Sequence, residues 1–397
     1  MSTQQSYFGS SSRAAVVLMA LCETLGCGGE GTAGGEETSR AAEALRIEIS
    51  PSALAYDYAH RDQLITAAAG NSEVVFVAEP LVPRVAVLDR VTGVELGEVP
   101  PPPGGWLLPF ALRVPDEDTL VVLDPGGFPS PEVPAVARVY DYRFESKRGR
   151  RQVRRFEAAL ERTVRFDGLP LVFAEDVEVT PSGHYVVAES ILGAIWVVAP
   201  DGSISPGLFP GAAGPIAPLA PCTWPTVEVD GIPFATAGNF APGVVAVAEQ
   251  RGQIYFSATC SGGLYRVPFS TLIDPARAPD ERASDIVVVS ARPEGEIETL
   301  HGLAFDRSKP RDRFVYASDS LHLRVLRIDT RTGERETVAS DPVLFNFPVK
   351  PQFLPPVAGV APLLVPSDQE HRFSLINAAI PGDQFRPPWI VTKLIVF

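Results

Sequence analysis

Few groups in this chain can do chemistry. It has five imidazoles, His60, His184, His301, His322 and His371. An imidazole changes charge near neutral pH and also ligates metals, so each is a candidate acid, base or ligand. His184 and His371 fall in turns between apolar runs and are expected in solvent. His322 follows a strand end, and His60 lies ahead of the first clear strand. His301 alone begins an inner strand, in Leu300-His-Gly-Leu-Ala-Phe-Asp306. Of the four cysteines, Cys22 and Cys27 stand near the start, and only Cys222 and Cys260 lie in the body. Without a CxxC pair, those two read either as one disulfide of an exported protein or as two buried thiols. No GxSxG elbow, HExxH pair, phosphate-binding loop or GxGxxG turn occurs, which sets aside the enzymes built on those motifs.

The elements that must position His301 repeat along the chain. A β-rich run ending in a small or polar residue appears as Val75-Phe-Val-Ala-Glu79, Leu120-Val-Val-Leu-Asp124 and Tyr185-Val-Val-Ala-Glu189. It returns as Ile254-Tyr-Phe-Ser-Ala258, Phe314-Val-Tyr-Ala-Ser318 and Phe373-Ser-Leu-Ile-Asn377. The intervals each fit one four-stranded sheet with its loops. Flanking runs supply further strands, joined by turns such as Pro200-Asp-Gly202 and Thr330-Arg-Thr-Gly333. Six small sheets, each with open edges and an unburied face, are satisfied by packing around an axis. The fold class expected is therefore all-β, a six-bladed β-propeller with blades of about four antiparallel strands, spanning residues 43–397. A pair of β-sandwiches is the competing arrangement. N- and C-terminal strands should close the ring, with Arg46-Ile-Glu-Ile-Ser50 joining the run from Trp389 to Phe397.

Composition sets the surroundings. Hydrophobic residues make up 45%, enough for a large core. The net charge of −14, from 34 basic and 48 acidic residues, argues against nucleic acid as a partner. One basic run opposes that trend, Lys147-Arg-Gly-Arg-Arg-Gln-Val-Arg-Arg155, and reads as a solvated outer strand or loop of the second blade. Residues 1–27 read as a signal peptide, with the apolar run Ala14-Ala-Val-Val-Leu-Met-Ala-Leu21 too short to span a bilayer. Leu25-Gly-Cys27-Gly-Gly resembles a bacterial lipoprotein cleavage site with Cys27 as lipid acceptor, and residues 28–42 read as a flexible linker. The expected address is the periplasm or cell envelope. Membrane contact would come only through that lipid, and the protein is expected to be a monomer.

Two stretches resemble a known superfamily. Leu300–Asp306, Arg313-Phe-Val-Tyr-Ala-Ser-Asp319 and Arg324-Val-Leu-Arg-Ile-Asp-Thr-Arg-Thr-Gly333 together look like one blade of the SMP-30/gluconolactonase and NHL-repeat propellers. Glu175-Asp-Val-Glu-Val-Thr-Pro-Ser-Gly183 with the following strands looks like a second. In lactonase-like members the resemblance implies a divalent cation, often calcium, held on the axis by Glu, Asn and Asp residues just before inner strands. Read position by position, blade three offers Glu175 with Asp176 beside it. Blade four offers Pro242 and Gly243, with Asn239 a few residues earlier. Blade five offers His301 where Asn or Asp is usual. Blade two offers Phe110, blade six Ala361 or a neighbour, and blade one lies between Thr66 and Gly70.

This set departs from the family pattern, since calcium takes six to eight oxygens. Glu175, Asp176, Asn239 and His301 suit a transition metal instead. Without a metal, Glu175 and His301 form an acid–base pair for ring opening, cyclisation or isomerisation. The functions implied are a metal-assisted hydrolase of a small lactone or ester, a non-catalytic binding or scaffold propeller, or a metal-free cyclase or isomerase. A small molecule is the expected occupant of the axial pocket, and the scaffold reading instead offers the loops of one face to a carbohydrate, peptide or protein.

Overall fold

The computed structural model describes residues 54–56, 64–128, 136–148, 153–209, 226–235, 243–259, 262–386 and 389–396. Cys27, Arg46–Ser50, His60, Cys222, Asn239, Pro242 and Cys260 lie outside the described residues.

Six four-stranded antiparallel sheets make six blades. Blade one holds Ala67–Gly70, Val74–Glu79, Arg84–Asp89 and Glu95–Glu98. Blade two holds Ala111–Arg113, Thr119–Asp124, Arg138–Arg148 and Val153–Arg165, and blade three Ala174–Val179, Tyr185–Glu189, Ala194–Val198 and Ile204–Leu208. Blade four is Val244–Gln250, Gln253–Ala258, Leu264–Pro268 and Val287–Ser290, and blade five Leu300–Ala304, Phe314–Asp319, Arg324–Asp329 and Arg335–Ser340. In blade six, Gln352–Phe353, Pro362–Ser367 and Trp389–Ile395 are completed by the chain's first strand, Leu54–Tyr56. The first strands of successive blades touch in a closed ring, which puts them on the axis.

Ring closure by N- and C-terminal strands is observed through Leu54–Tyr56, with Leu54 opposite Val391 and Tyr56 opposite Trp389, while Arg46–Ser50 lies outside the described residues. One expectation needs correction, the placement of the sixth repeat. Phe373–Asn377 is no strand, because it follows a short 3-10 turn at Glu370–Arg372. The second strand of blade six is Pro362–Ser367. That strand is buried throughout, and Leu364 packs with Trp389 and Val391 in the core shared with blade one.

The cores lie between blades, where one sheet's face meets the next. Between blades two and three, Val121, Leu123, Val177, Val187 and Trp196 share one cluster. The two outer strands of blade two are unusually long, and Phe144 and Phe156 reach back to Phe76 of blade one. The basic run sits at the far end of this hairpin, where Lys147 and Arg155 are exposed, as expected for a solvated outer strand.

Among the described residues, one pair of strands does not belong to a blade. Between blades three and four, Val227–Val229 and Ile232–Phe234 form a separate hairpin. Its turn, Asp230-Gly231, has φ of 49° and 73°, the two positive values a tight hairpin turn requires. The hairpin docks on blade six. Ala235 N–H donates to Asn377 Oδ1 at 3.1 Å, and Asn377 Nδ2 donates to the Pro233 carbonyl at 2.8 Å. Asp230 accepts from both Arg372 and Arg386. In a ring of six, blades three and six stand opposite, so the hairpin crosses one mouth of the axis.

Candidate functional site

In an antiparallel blade the first strand begins and the second strand ends at the same mouth. Five chemically active residues converge there. Glu175 and His301 are the second residues of their inner strands, and Lys350 stands two residues before the inner strand of blade six. Asp368 and Glu370 follow the second strand of that blade. All five are buried. They lie at the same end of the axis that the Val227–Phe234 hairpin crosses.

The imidazole of His301 stands between two carboxyls. Its Nε2 is 3.2 Å from Glu175 Oε1, and its Nδ1 is 3.6 Å from Glu370 Oε2, beyond hydrogen-bond reach. Glu175 Oε1 also accepts from Lys350 Nζ at 3.1 Å, while Ser190 Oγ donates to Glu175 Oε2 at 3.1 Å. The far side of the Lys350 ammonium lies over the Phe110 ring, 4.2 Å from its centroid. Phe347 meets the edge of His301 and stacks on His371. Phe110, Phe173, Phe128 and Phe373 then run in contact across the mouth.

Burial and charge push the carboxyls apart. Burial alone would raise Glu175, but the Lys350 ammonium and the bond to His301 outweigh it and hold the carboxyl at about 2. Burial lifts Asp368 to about 7, despite Lys350. Burial, then the negative charge of Asp368, raises Glu370 well above the usual value. The imidazole therefore has on one side a carboxyl held low and on the other a carboxyl that binds its proton more tightly than usual. The orphaned atoms in the cluster are His301 Nδ1 and Asp368 Oδ2, both buried without a hydrogen-bond partner. They are where an occupant would find unmet polar groups.

A calcium ion does not fit these residues. Its oxygen shell would have to form around Glu175 Oε1, which already accepts from an ammonium and faces an imidazole nitrogen. A transition metal has the donors Glu175, His301 and Glu370, whose ligand atoms lie within 4.8 Å of one another.

The sequence-derived residues divide. Glu175 and His301 meet as the acid–base reading required. Asp176 turns away and is held by Arg113, whose Nη2 reaches its two oxygens at 2.9 and 3.0 Å, with Val247 N–H bonded at 3.1 Å. Phe110 is at the mouth, under the Lys350 ammonium. Gly243 packs where a β-carbon would lie 1.8 Å from the Ser190 carbonyl oxygen. Thr66 is buried at the start of blade one. Ala361 leads the second strand of blade six, and the axial position there belongs to Lys350.

Three histidines sit elsewhere. His371, expected in solvent, is buried with both ring nitrogens unpartnered, and burial brings it down to about 3. His184 is half-buried in its turn, on Ser182. His322 pairs with Asp319 at 2.8 Å.

Lys350, Asp368 and Glu370 were missed because blade six was placed on the wrong run. Each of four other blades ends its second strand on an acid: Glu79, Asp124, Glu189 and Asp319. Leu363-Leu-Val-Pro-Ser-Asp368 has that same ending. Aligning on it would have put Lys350 at the front of the inner strand.

The opposite mouth carries a separate opening. Turns between first and second strands line a cavity of about 740 Å³, with Thr180, Tyr185, Glu249, Phe305 and Arg307 among its walls. The Glu175 cluster is not among its lining residues.

Sheets, ring and site together define the class: a six-bladed β-propeller with a buried cluster of acidic and basic side chains at one mouth of its axis. No family model and no curated protein matches the chain. Among solved structures it is similar to an oxidoreductase (glucose dehydrogenase) from Thermus thermophilus, at 17% identity and a TM-score of 0.45, covering 84% of this chain and 97% of that one. It is also similar to virginiamycin B lyase from Staphylococcus aureus, at 8% identity and 0.47, covering 86% and 98%. A third is the aldose sugar dehydrogenase from Streptomyces coelicolor in its PQQ-bound form, at 13% and 0.41, covering 83% and 95%.

Proposed function

We propose that this propeller is an enzyme whose axial cluster performs acid–base chemistry on a small, largely apolar lactone or ester. The observation that carries the proposal is the imidazole of His301 between two carboxyls of opposite proton affinity. His301 takes a proton from water or substrate, and the Glu175 carboxylate stabilises the imidazolium. Glu370 holds a proton to give to the leaving oxygen, and the aromatic rings around the cluster keep bulk water from competing. With residues 1–27 read as a leader and Cys27 as lipid acceptor, the enzyme works from the cell envelope.

The test is a panel of lactones and aryl esters turned over by the wild type, His301→Ala and Glu370→Gln. Loss of a positioned acid or base lowers turnover by about 10²–10⁴-fold. A wild type inert to the panel, or variants as fast as the wild type, sinks the proposal. A second reading, a transition-metal hydrolase, is favoured by the spacing of Glu175, His301 and Glu370. Elemental analysis of the same preparations separates the two.

A further inference from the structure

We infer that the Lys350 ammonium is the resident cation of the axial site and excludes divalent metal from it. The inference rests on the metal-free acid–base reading above and stands against the transition-metal reading of the same site. Three independent observations carry it.

The first is position. Lys350 Nζ lies 3.1 Å from Glu175 Oε1, where an ion shared with His301 would have to bind, and the side chain is fully buried. A metal entering there would meet an ammonium at contact distance, and like charges in a poorly solvated site repel strongly. The second is the surrounding chemistry. The ammonium rests on the face of Phe110, which suits an organic cation and offers a metal no lone pair. His301 directs its two nitrogens at different carboxyls instead of turning one toward a common centre.

The third is the backbone. Lys350 has φ of 33° and Phe347 φ of 64°, left-handed values that non-glycine residues adopt at a cost. Gly302 makes room for this bend, since a β-carbon there would meet Lys350 N at 2.3 Å. Strained segments of this kind persist where the surrounding structure demands one side-chain placement, and here the placement is an ammonium on the axis.

The experiment uses the full chain, stripped with EDTA and dialysed. It is titrated with zinc, manganese or calcium chloride, then desalted and assayed for bound metal. The wild type is expected to retain none, and Lys350→Arg, which keeps the charge, likewise none. Lys350→Met, which keeps length and removes charge, is expected to take up about one equivalent of zinc or manganese. Adding Glu370→Gln to that variant should remove the metal again. A Lys350 that served structure alone would lower the melting temperature without changing metal uptake. One equivalent bound by the wild type and lost in Glu370→Gln overturns the inference. So does a folded Lys350→Met that binds no more than the wild type. If Lys350→Met does not fold, the wild-type stoichiometry and Lys350→Gln decide by the same criteria. Turnover by His301→Ala is read separately, so failure of the acid–base reading and failure of this one are distinguishable.

Discussion

Gly302 and Lys350 meet backbone to backbone across blades five and six. The Lys350 amide donates to the His301 carbonyl at 3.2 Å, and a β-carbon at Gly302 would stand 2.3 Å from that same nitrogen. The neighbour is backbone, so it cannot swing aside. Gly302→Ala should therefore cost about 1–3 kcal/mol, the usual range for overpacking. It should also displace both His301 and Lys350. The expected result is a lower urea midpoint together with lost turnover. An unchanged midpoint would show that the two blades are free to separate.

Arg113 and Asp176 form an ion pair buried on the axis, with Glu178 as a second partner of the guanidinium at 3.3 Å. Asp176→Ala leaves much of that charge without its counter-ion. Breaking such a pair costs about 3–5 kcal/mol. Equilibrium unfolding measures this directly, and a loss below about 1 kcal/mol would mean that water reaches the guanidinium.

His322 gives a pH signature. Its hydrogen bond to Asp319 raises it above the ordinary value, against the opposing effect of partial burial. A group raised on folding stabilises the native state fully below its unfolded value, about 6.5, and loses that contribution as pH rises through the folded value. The melting temperature of the wild type should exceed that of His322→Gln most at about pH 5.5, and the two curves should converge at alkaline pH. A gap independent of pH contradicts the assignment.

The hairpin over the mouth is held by ions that are partly solvated. Asp230 is shared by a buried Arg372 and an exposed Arg386. Asp230→Asn should weaken that clasp by about 1 kcal/mol or less. Amide exchange should quicken in Val227–Phe234 while exchange in the blades stays constant. Uniform acceleration across the blades would argue that the hairpin is integral to the fold.

Much of the fold was legible in the sequence because strand runs repeat with turn residues between them. Five of the six runs are second strands in the structure. The sixth failed for a physical reason. Phe373-Ser-Leu-Ile-Asn377 has an apolar pattern, but Phe373 and Ile376 pack with Phe234 and Phe347 in the cover of the mouth instead of pairing in a sheet. Glu175 and His301 were legible because each opens an inner strand. Lys350 and Glu370 were not, because the apolar Phe373–Asn377 run drew blade six away from the Pro362–Ser367 strand that locates them, and left-handed backbone at Lys350 and Gln369 breaks the strand pattern there. The hairpin at Val227–Phe234 was also hidden, since its strands are only three residues each.

The closure of blade six has a consequence for how the molecule is made. Leu54–Tyr56 leaves the ribosome before any blade, and its partner Trp389–Ile395 leaves after the other five are complete. Blade six is thus the last of the six sheets to be completed. Until Trp389–Ile395 has emerged, the faces of blades five and one that it will cover have no partner. That interval exposes Val75, Val77 and Leu88 of blade one, and it is when a chaperone would be most useful.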